Sequence, residues 1–238
     1  MISFLRVKKT NKIRKKTGKL ITRAIYMEKS HRMGKVLTEK SISVAKPVLV
    51  CGKHSSGKTR WLRKFCQNAK EVWAKQKGAP IFFDANNSLA EWKDQEQIRE
   101  WWDSNNQETK WSKLSGHKKE SLIIDYVSSV WTVIFIDNAD KLHGRKLDIV
   151  KNAIQSSKSR IWVASSISEN RIGPSLREVI LKSSPQMFCL NSAVSYDATN
   201  VLIITSCVVL ILGGQIEIAM MVGMLRMLAK GMFSTKQQ

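Results

Sequence analysis

The chain of 238 residues has only four cysteines, and no two of them form a C-x-x-C pair. Cys51, Cys66, Cys189 and Cys207 are therefore expected as free thiols in a reducing compartment. That spacing excludes a disulfide framework and a cysteine-based zinc site. His31, His54, His117 and His143 are scattered, with no i, i+4 pair for a metal. The first thirty residues lack the apolar run of a secretory signal. Acid is scarce too: 19 Asp and Glu stand against 40 Lys and Arg, a net charge of +21. An excess of that size says nothing about fold but implies polyanionic company, whether nucleic acid, nucleotide or an anionic membrane face. Apolar material is not lacking. Hydrophobic residues make up 43% of the chain, enough for one ordinary domain with an appendage and too much for wholesale disorder.

Charge and hydropathy divide the chain in three. Residues 1–46 hold fourteen Lys/Arg and two Glu, twelve of the net +21. They read as a basic N-terminal arm, with Leu20, Ile21, Ala24 and Ile25 able to share one face of a short helix. A solvated tail, a phosphate-backbone binder and an anionic-lipid binder are the open readings. Residues 47–191 alternate short apolar runs with helical stretches. The runs Val48–Cys51, Ile81–Asp84, Val133–Asp137, Arg160–Ser165 and Met187–Leu190 read as five strands. Strands apolar on both faces, separated by helices, predict an α/β domain with a parallel five-stranded sheet covered on both sides. Residues 192–238 turn apolar. From Val201 to Leu225 the one charged side chain is Glu217.

Gly52-Lys53-His54-Ser55-Ser56-Gly57-Lys58-Thr59 matches G-x-x-x-x-G-K-[ST] in full, after an apolar strand and before a helix. Glycines let consecutive backbone N–H groups turn inward onto phosphate oxygens, and the helix N-terminus adds partial positive charge. Lys58 is placed to reach the β- and γ-phosphates of ATP, and the Thr59 hydroxyl to ligate Mg²⁺. At this point the sequence resembles the P-loop NTPase superfamily over about residues 47–191. A magnesium nucleotide needs a second anchor, a carboxylate ending a neighbouring buried strand. Asp137, closing Val133–Asp137, fits that need.

The run Ile136-Asp137-Asn138-Ala139-Asp140 resembles the corresponding stretch of AAA+ and STAND ATPases. In most AAA+ enzymes a Glu follows that Asp and polarises the attacking water; here the residue is Asn138. An amide orients water but cannot take its proton. Asp140 and Asp84 are the remaining candidates for a base. The resemblance further implies a polar sensor at the tip of the fourth strand, Ser165 or Ser166. It also implies an arginine finger, Arg171 or Arg177, offered to a neighbouring subunit. The helical lid usual in AAA+ proteins has no counterpart in the apolar C-terminus.

Trp92, Trp101, Trp102 and Trp111 fall close together among lysines and acids. The mixed charge favours an insert packed onto the sheet over a base-stacking surface. Residues 198–228 suit membrane association, as a single span, a re-entrant hairpin turned at Gly213-Gly214, or an interfacial helix from Ile216 to Leu228. A buried hairpin in a homo-oligomer is the soluble alternative. The reading is a membrane-tethered, slowly hydrolysing ATPase on the cytoplasmic face, acting on nucleic acid or a protein assembly. Its competitors are a non-hydrolysing nucleotide switch and a soluble cytoplasmic helper ATPase that binds DNA.

Overall fold

A computed structural model describes residues 2–13, 20–30, 34–73, 76–105, 109–191, 198–218 and 220–221. Met1–Ala193 forms one compact unit and Val194–Gln238 a second. The first unit opens with three strands, β1 (Ile2–Ile13), β2 (Leu20–Lys29) and β3 (Val36–Ser41). The α/β core follows: β4 (Val48–Gly52), α1 (Lys58–Gln67), α2 (Ala69–Val72), β5 (Ile81–Asp84), α3 (Leu89–Lys93), α4 (Glu96–Asn105), α5 (Gly116–Ser129), β6 (Ile134–Asp137), α6 (Gly144–Ser156), β7 (Trp162–Ser166), α7 (Pro174–Lys182) and β8 (Gln186–Leu190).

The core sheet has five parallel strands in the order β5-β6-β7-β4-β8. After β4 the chain crosses to the far edge, returns through β6 and β7 to the side of β4, and then passes over β4 to β8. The parallel five-stranded α/β sheet expected from the sequence is thus the observed fold.

Strand alternation sorts the core into two layers. Leu49, Cys51, Ile134, Ile136, Trp162 and Ala164 face α5, α6 and α7. Val48, Val50, Phe135 and Val163 face α1, where Trp61, Leu62 and Phe65 are buried. An aromatic cluster holds α1 there: Phe65 lies 4.6 Å from Trp61 and 4.8 Å from Trp73, ring centre to ring centre, and edge-on to Phe135 at 6.0 Å.

The basic segment expected as an arm or short helix is a strand system. Leu20, Ile21, Ala24 and Ile25 fit a helical face, yet Thr22, Ala24, Ile25 and Tyr26 are all buried, while Arg23 is exposed. Tertiary packing decides for the strand: Tyr26 stacks on Phe188 at 5.1 Å and its hydroxyl donates to the Cys189 carbonyl at 3.0 Å. β1 pairs antiparallel with β2, and β2 with β3.

The tryptophan stretch becomes α3 and α4, which cover the free edge of β5. The Trp92 indole N–H donates to Asp84 O (3.0 Å), Gln95 to Phe82 O (3.2 Å) and Gln97 to Pro80 O (3.2 Å). These side chains satisfy carbonyls that an edge strand otherwise exposes. Ser88 and Glu91 form a capping box at the start of α3. α5 begins at Gly116, capped by the Ser115 hydroxyl, which accepts from Lys118 N at 3.3 Å.

In the second unit, α8 (Ala198–Leu212) is 15 residues long. At about 1.5 Å per residue it falls short of a hydrocarbon core about 30 Å thick. Among the described residues no helix is long and apolar enough to cross a membrane. Gly213-Gly214 ends α8: Gly214 has φ +76, and the Gly213 and Gln215 amides bond back to Val209 O and Leu210 O, both at 2.9 Å. Most of the expected helix from Ile216 to Leu228 lies outside the described residues.

The thiols sort by burial. Burial pushes the Cys51 thiol up to about 11 and that of Cys66 up to about 12. Both stay protonated until pH rises towards those values, so at pH 8 about one part in a thousand or less is thiolate. Cys189 is exposed. Brief iodoacetamide treatment at pH 8, followed by peptide mass mapping, is expected to alkylate Cys189 and spare Cys51 and Cys66. Labelling of Cys66 at the rate of Cys189 would contradict this burial.

Candidate functional site

The carboxyl end of β4 is where successive connections leave in different directions, the position at which open α/β sheets bind ligands. The Gly52–Thr59 loop sits there. A Cβ at Gly52 would lie 2.7 Å from Leu190 O and 2.8 Å from Ser56 Oγ, so backbone from β8 and the loop itself demand glycine. Gly57 has φ +85, a left-handed conformation that glycine adopts without strain. Ser55 is also left-handed, at φ 60. Lys53, His54, Ser55 and Gly57 are exposed, Ser56 and Thr59 half-buried, and Lys58 buried. An open cavity of about 730 Å³ lies against them, with Arg60, Arg63 and Asn138 on its walls.

The Lys58 ammonium is folded onto its own loop, donating to Gly52 O at 2.6 Å and Lys53 O at 2.9 Å. Desolvation by burial lowers its pKa, and Asp140 and Asp137 act in the opposite direction. The two backbone carbonyls are weak neutral acceptors for a buried cation. A phosphate in the cavity would be a better one.

Asp137 is wholly buried at the end of β6. Its Oδ1 accepts from the Ser165 hydroxyl and from Asn138 N (3.1 Å), whereas Oδ2 has no hydrogen-bond partner among the described residues. A buried carboxylate oxygen left without a hydrogen bond is costly unless a cation meets it. Hard oxygen donors, a carboxylate and the Thr59 hydroxyl, are the chemistry Mg²⁺ takes, with phosphate oxygens and water completing the shell. The residues present thus fit the ion.

Asn138 is left-handed, at φ 56, a region in which Asn is enriched. Its side-chain amide donates to Asp84 Oδ1 at 3.2 Å. Asp84 is 6% exposed, lies directly across from Asp137 in the β5–β6 register, and has Oδ2 3.8 Å from Arg63. A chain of contacts therefore runs Ser165, Asp137, Asn138, Asp84, Arg63. The structure brings Asp84 into the group and gives Asp140 a different place, its Oδ1 accepting from Ile167 N at 3.1 Å. Of the two serines, Ser165 reaches Asp137, while Ser166 caps its own loop through Ser168 O at 2.7 Å. Arg177 is bound to Glu169 by two contacts, 3.0 and 2.8 Å, beside a separate hollow that also holds Arg171.

Arg63 was not singled out from the sequence. The signal was there: it stands one helical turn after Thr59, on the same side of α1. A larger cavity, about 900 Å³, lies at the opposite ends of β5 and β6, lined by Lys70, Lys77, Trp101, Trp131 and Lys158. It has none of the phosphate-loop backbone.

No protein-family model and no curated protein sequence matches this chain. Solved structures with a similar arrangement include Cdc6p from Pyrobaculum aerophilum, 17% identical, covering 60% of this chain and 38% of that one at a TM-score of 0.39. The Aeropyrum pernix ORC1 protein in complex with DNA is 13% identical and covers 66% of this chain and 42% of its own at 0.43. The cytoplasmic domain of the Thermomonospora curvata type VII secretion ATPase EccC is 15% identical, covering 65% and 20% at 0.38. The chain thus spans less than half the length of each.

Proposed function

We propose that this chain is a Mg²⁺-dependent ATP-binding protein of AAA+/STAND-like type that hydrolyses ATP slowly. The observation that carries the reading is Asp137 Oδ2, buried at the end of β6 with no hydrogen-bond partner among the described residues, two strands from a phosphate loop whose own lysine is folded onto two backbone carbonyls. Residues Gly52 to Thr59 would bind the phosphates, and Thr59 and Asp137 would hold Mg²⁺. Bound there, the ion would neutralise charge developing on the phosphates. Asp84 would accept the proton of the attacking water at a carboxylate oxygen, with Asn138 and Arg63 fixing its orientation. Ser165 would hold Asp137 in its rotamer.

A nucleotide switch that does not hydrolyse is the second reading. Asn138 favours it, since the residue after Asp137 cannot itself take a proton and also engages Asp84. In either case residues 1–46 would contact nucleic acid, on the strength of their charge. Residues 198–228 would associate with a membrane interface or a second copy of the chain. Val209 at 62% and Leu212 at 83% exposure support such a role.

The deciding experiment is titration with a fluorescent ATP analogue, with and without Mg²⁺. Lys58→Ala should weaken binding by about 10- to 100-fold, from hydrogen bonds to a charged group worth about 1.5–3 kcal/mol. Asp137→Ala should remove the Mg²⁺ dependence. Equal affinity in the unaltered chain and Lys58→Ala would refute the site.

A further inference from the structure

The β1–β2 hairpin outruns its neighbour. β3 pairs with β2 between Ile25 and Lys29, whereas β1 and β2 stay paired from Ile2–Lys29 out to Ile13–Leu20. The far part of the hairpin is therefore a two-stranded ribbon, with no third strand beside β2 there among the described residues. Charge is segregated along it. The two acids of residues 1–46, Glu28 and Glu39, lie in register with Ser3 and Met27, at the near end. Residues 8–13 and 20–23, towards the far end, contain four Lys/Arg and no acid.

Lys8 stands directly opposite Arg23, and Arg6 lies two residues before Lys8 on the same side; all three are exposed. Like charges facing each other across a strand pair are destabilising. A polyanion laid along the ribbon turns that repulsion into binding. We propose that the β1–β2 ribbon docks in the major groove of duplex DNA and grips its phosphates. This rests on, and deepens, the reading that residues 1–46 contact nucleic acid.

Shape and composition choose the duplex. Two strands about 4.8 Å apart with their side chains fit a groove about 12 Å wide. Pairing shifts register between Lys9 and Ile13, an irregularity that increases ribbon twist. A single strand would ask for aromatic stacking platforms. The only aromatics of residues 1–46 are Phe4 and Tyr26. Tyr26 is buried, and the Lys29 ammonium lies over the Phe4 ring at 5.7 Å. The deep, narrow major groove of A-form RNA does not admit a ribbon.

The test uses the full chain and a fluorescein-labelled 24-base-pair DNA duplex, followed by anisotropy between 50 and 200 mM NaCl. The triple variant Arg6→Gln, Lys8→Gln, Arg23→Gln should reduce the slope of log affinity against log salt by about three. Its affinity at 100 mM salt should fall by about two orders of magnitude. It should keep the circular dichroism spectrum and the ATP affinity of the unaltered chain. Lys58→Ala should keep duplex binding, so a failed nucleotide reading would show separately. An unchanged salt slope in the triple variant would overturn the proposal. So would tighter binding to single-stranded DNA, to duplex RNA, or to phosphatidylserine vesicles.

Discussion

Asp84→Asn is expected to lower ATP turnover by about two to four orders of magnitude, the usual contribution of a positioned proton acceptor. ATP affinity should stay close to that of the unaltered chain. The substitution is nearly isosteric. The Asn side-chain oxygen can still accept from Asn86 N (3.0 Å) and from the Asn138 amide (3.2 Å), so the strand end keeps its geometry. What disappears is the carboxylate that can take a proton. Asp140→Asn is the control. Its Oδ1 accepts from Ile167 N, a bond an amide oxygen also makes, so turnover should change little. Steady-state phosphate release by the three proteins decides the matter. A large loss in Asp140→Asn with none in Asp84→Asn would move the base to Asp140. No turnover in the unaltered chain, with ATP still bound, would leave the switch reading standing.

The fold was legible where burial is two-sided. In a parallel sheet covered on both faces, the central strands are near-continuous apolar runs. Val48–Cys51 and Ile134–Ile136 therefore read as strands without knowledge of their neighbours. The phosphate loop was legible because backbone geometry restricts it: a Cβ at Gly52 would meet Leu190 O, and Gly57 is left-handed, where other residues are strained. The strand order was not legible, since it depends on which crossover packs where. Nor was β2, because Ile21 and Ile25 satisfy the helical period and the strand period together, and only contact with Tyr26 and Phe188 decides.

Asn138 shows a different limit. As a letter it reads as the loss of a glutamate. In the structure it is a left-handed residue that turns the chain from β6 into the following turn and extends its amide to Asp84. The backbone at φ 56 favours Asn, and a Glu there would be strained. Asn138 and Asp84, on adjacent strand ends, thus form one hydrogen-bonded pair. The sequence shows both residues, 54 positions apart, but not their contact.

Trp92→Ala is expected to cost about 3–5 kcal/mol of folding stability, the range for removing a buried Trp or Phe side chain. Trp92 is 1% exposed, lies 4.8 Å from the Phe83 ring, and carries the Lys146 ammonium over its own ring at 5.6 Å. A loss of that size is a large share of the roughly 5–15 kcal/mol that holds a domain together. For a unit of this length it should lower the melting temperature by about 6–20 °C, read by circular dichroism. A shift below 3 °C would show that the α3–α4 cover does not brace the sheet. Trp92→Phe separates bracing from catalysis. It keeps most of the packing and loses the indole N–H that donates to Asp84 O. If that bond steadies the end of β5, turnover should fall in Trp92→Phe by more than its small change in melting temperature explains, while ATP affinity holds. If turnover tracks stability alone, the tryptophan cover is a brace for the edge strand and has no part in positioning Asp84.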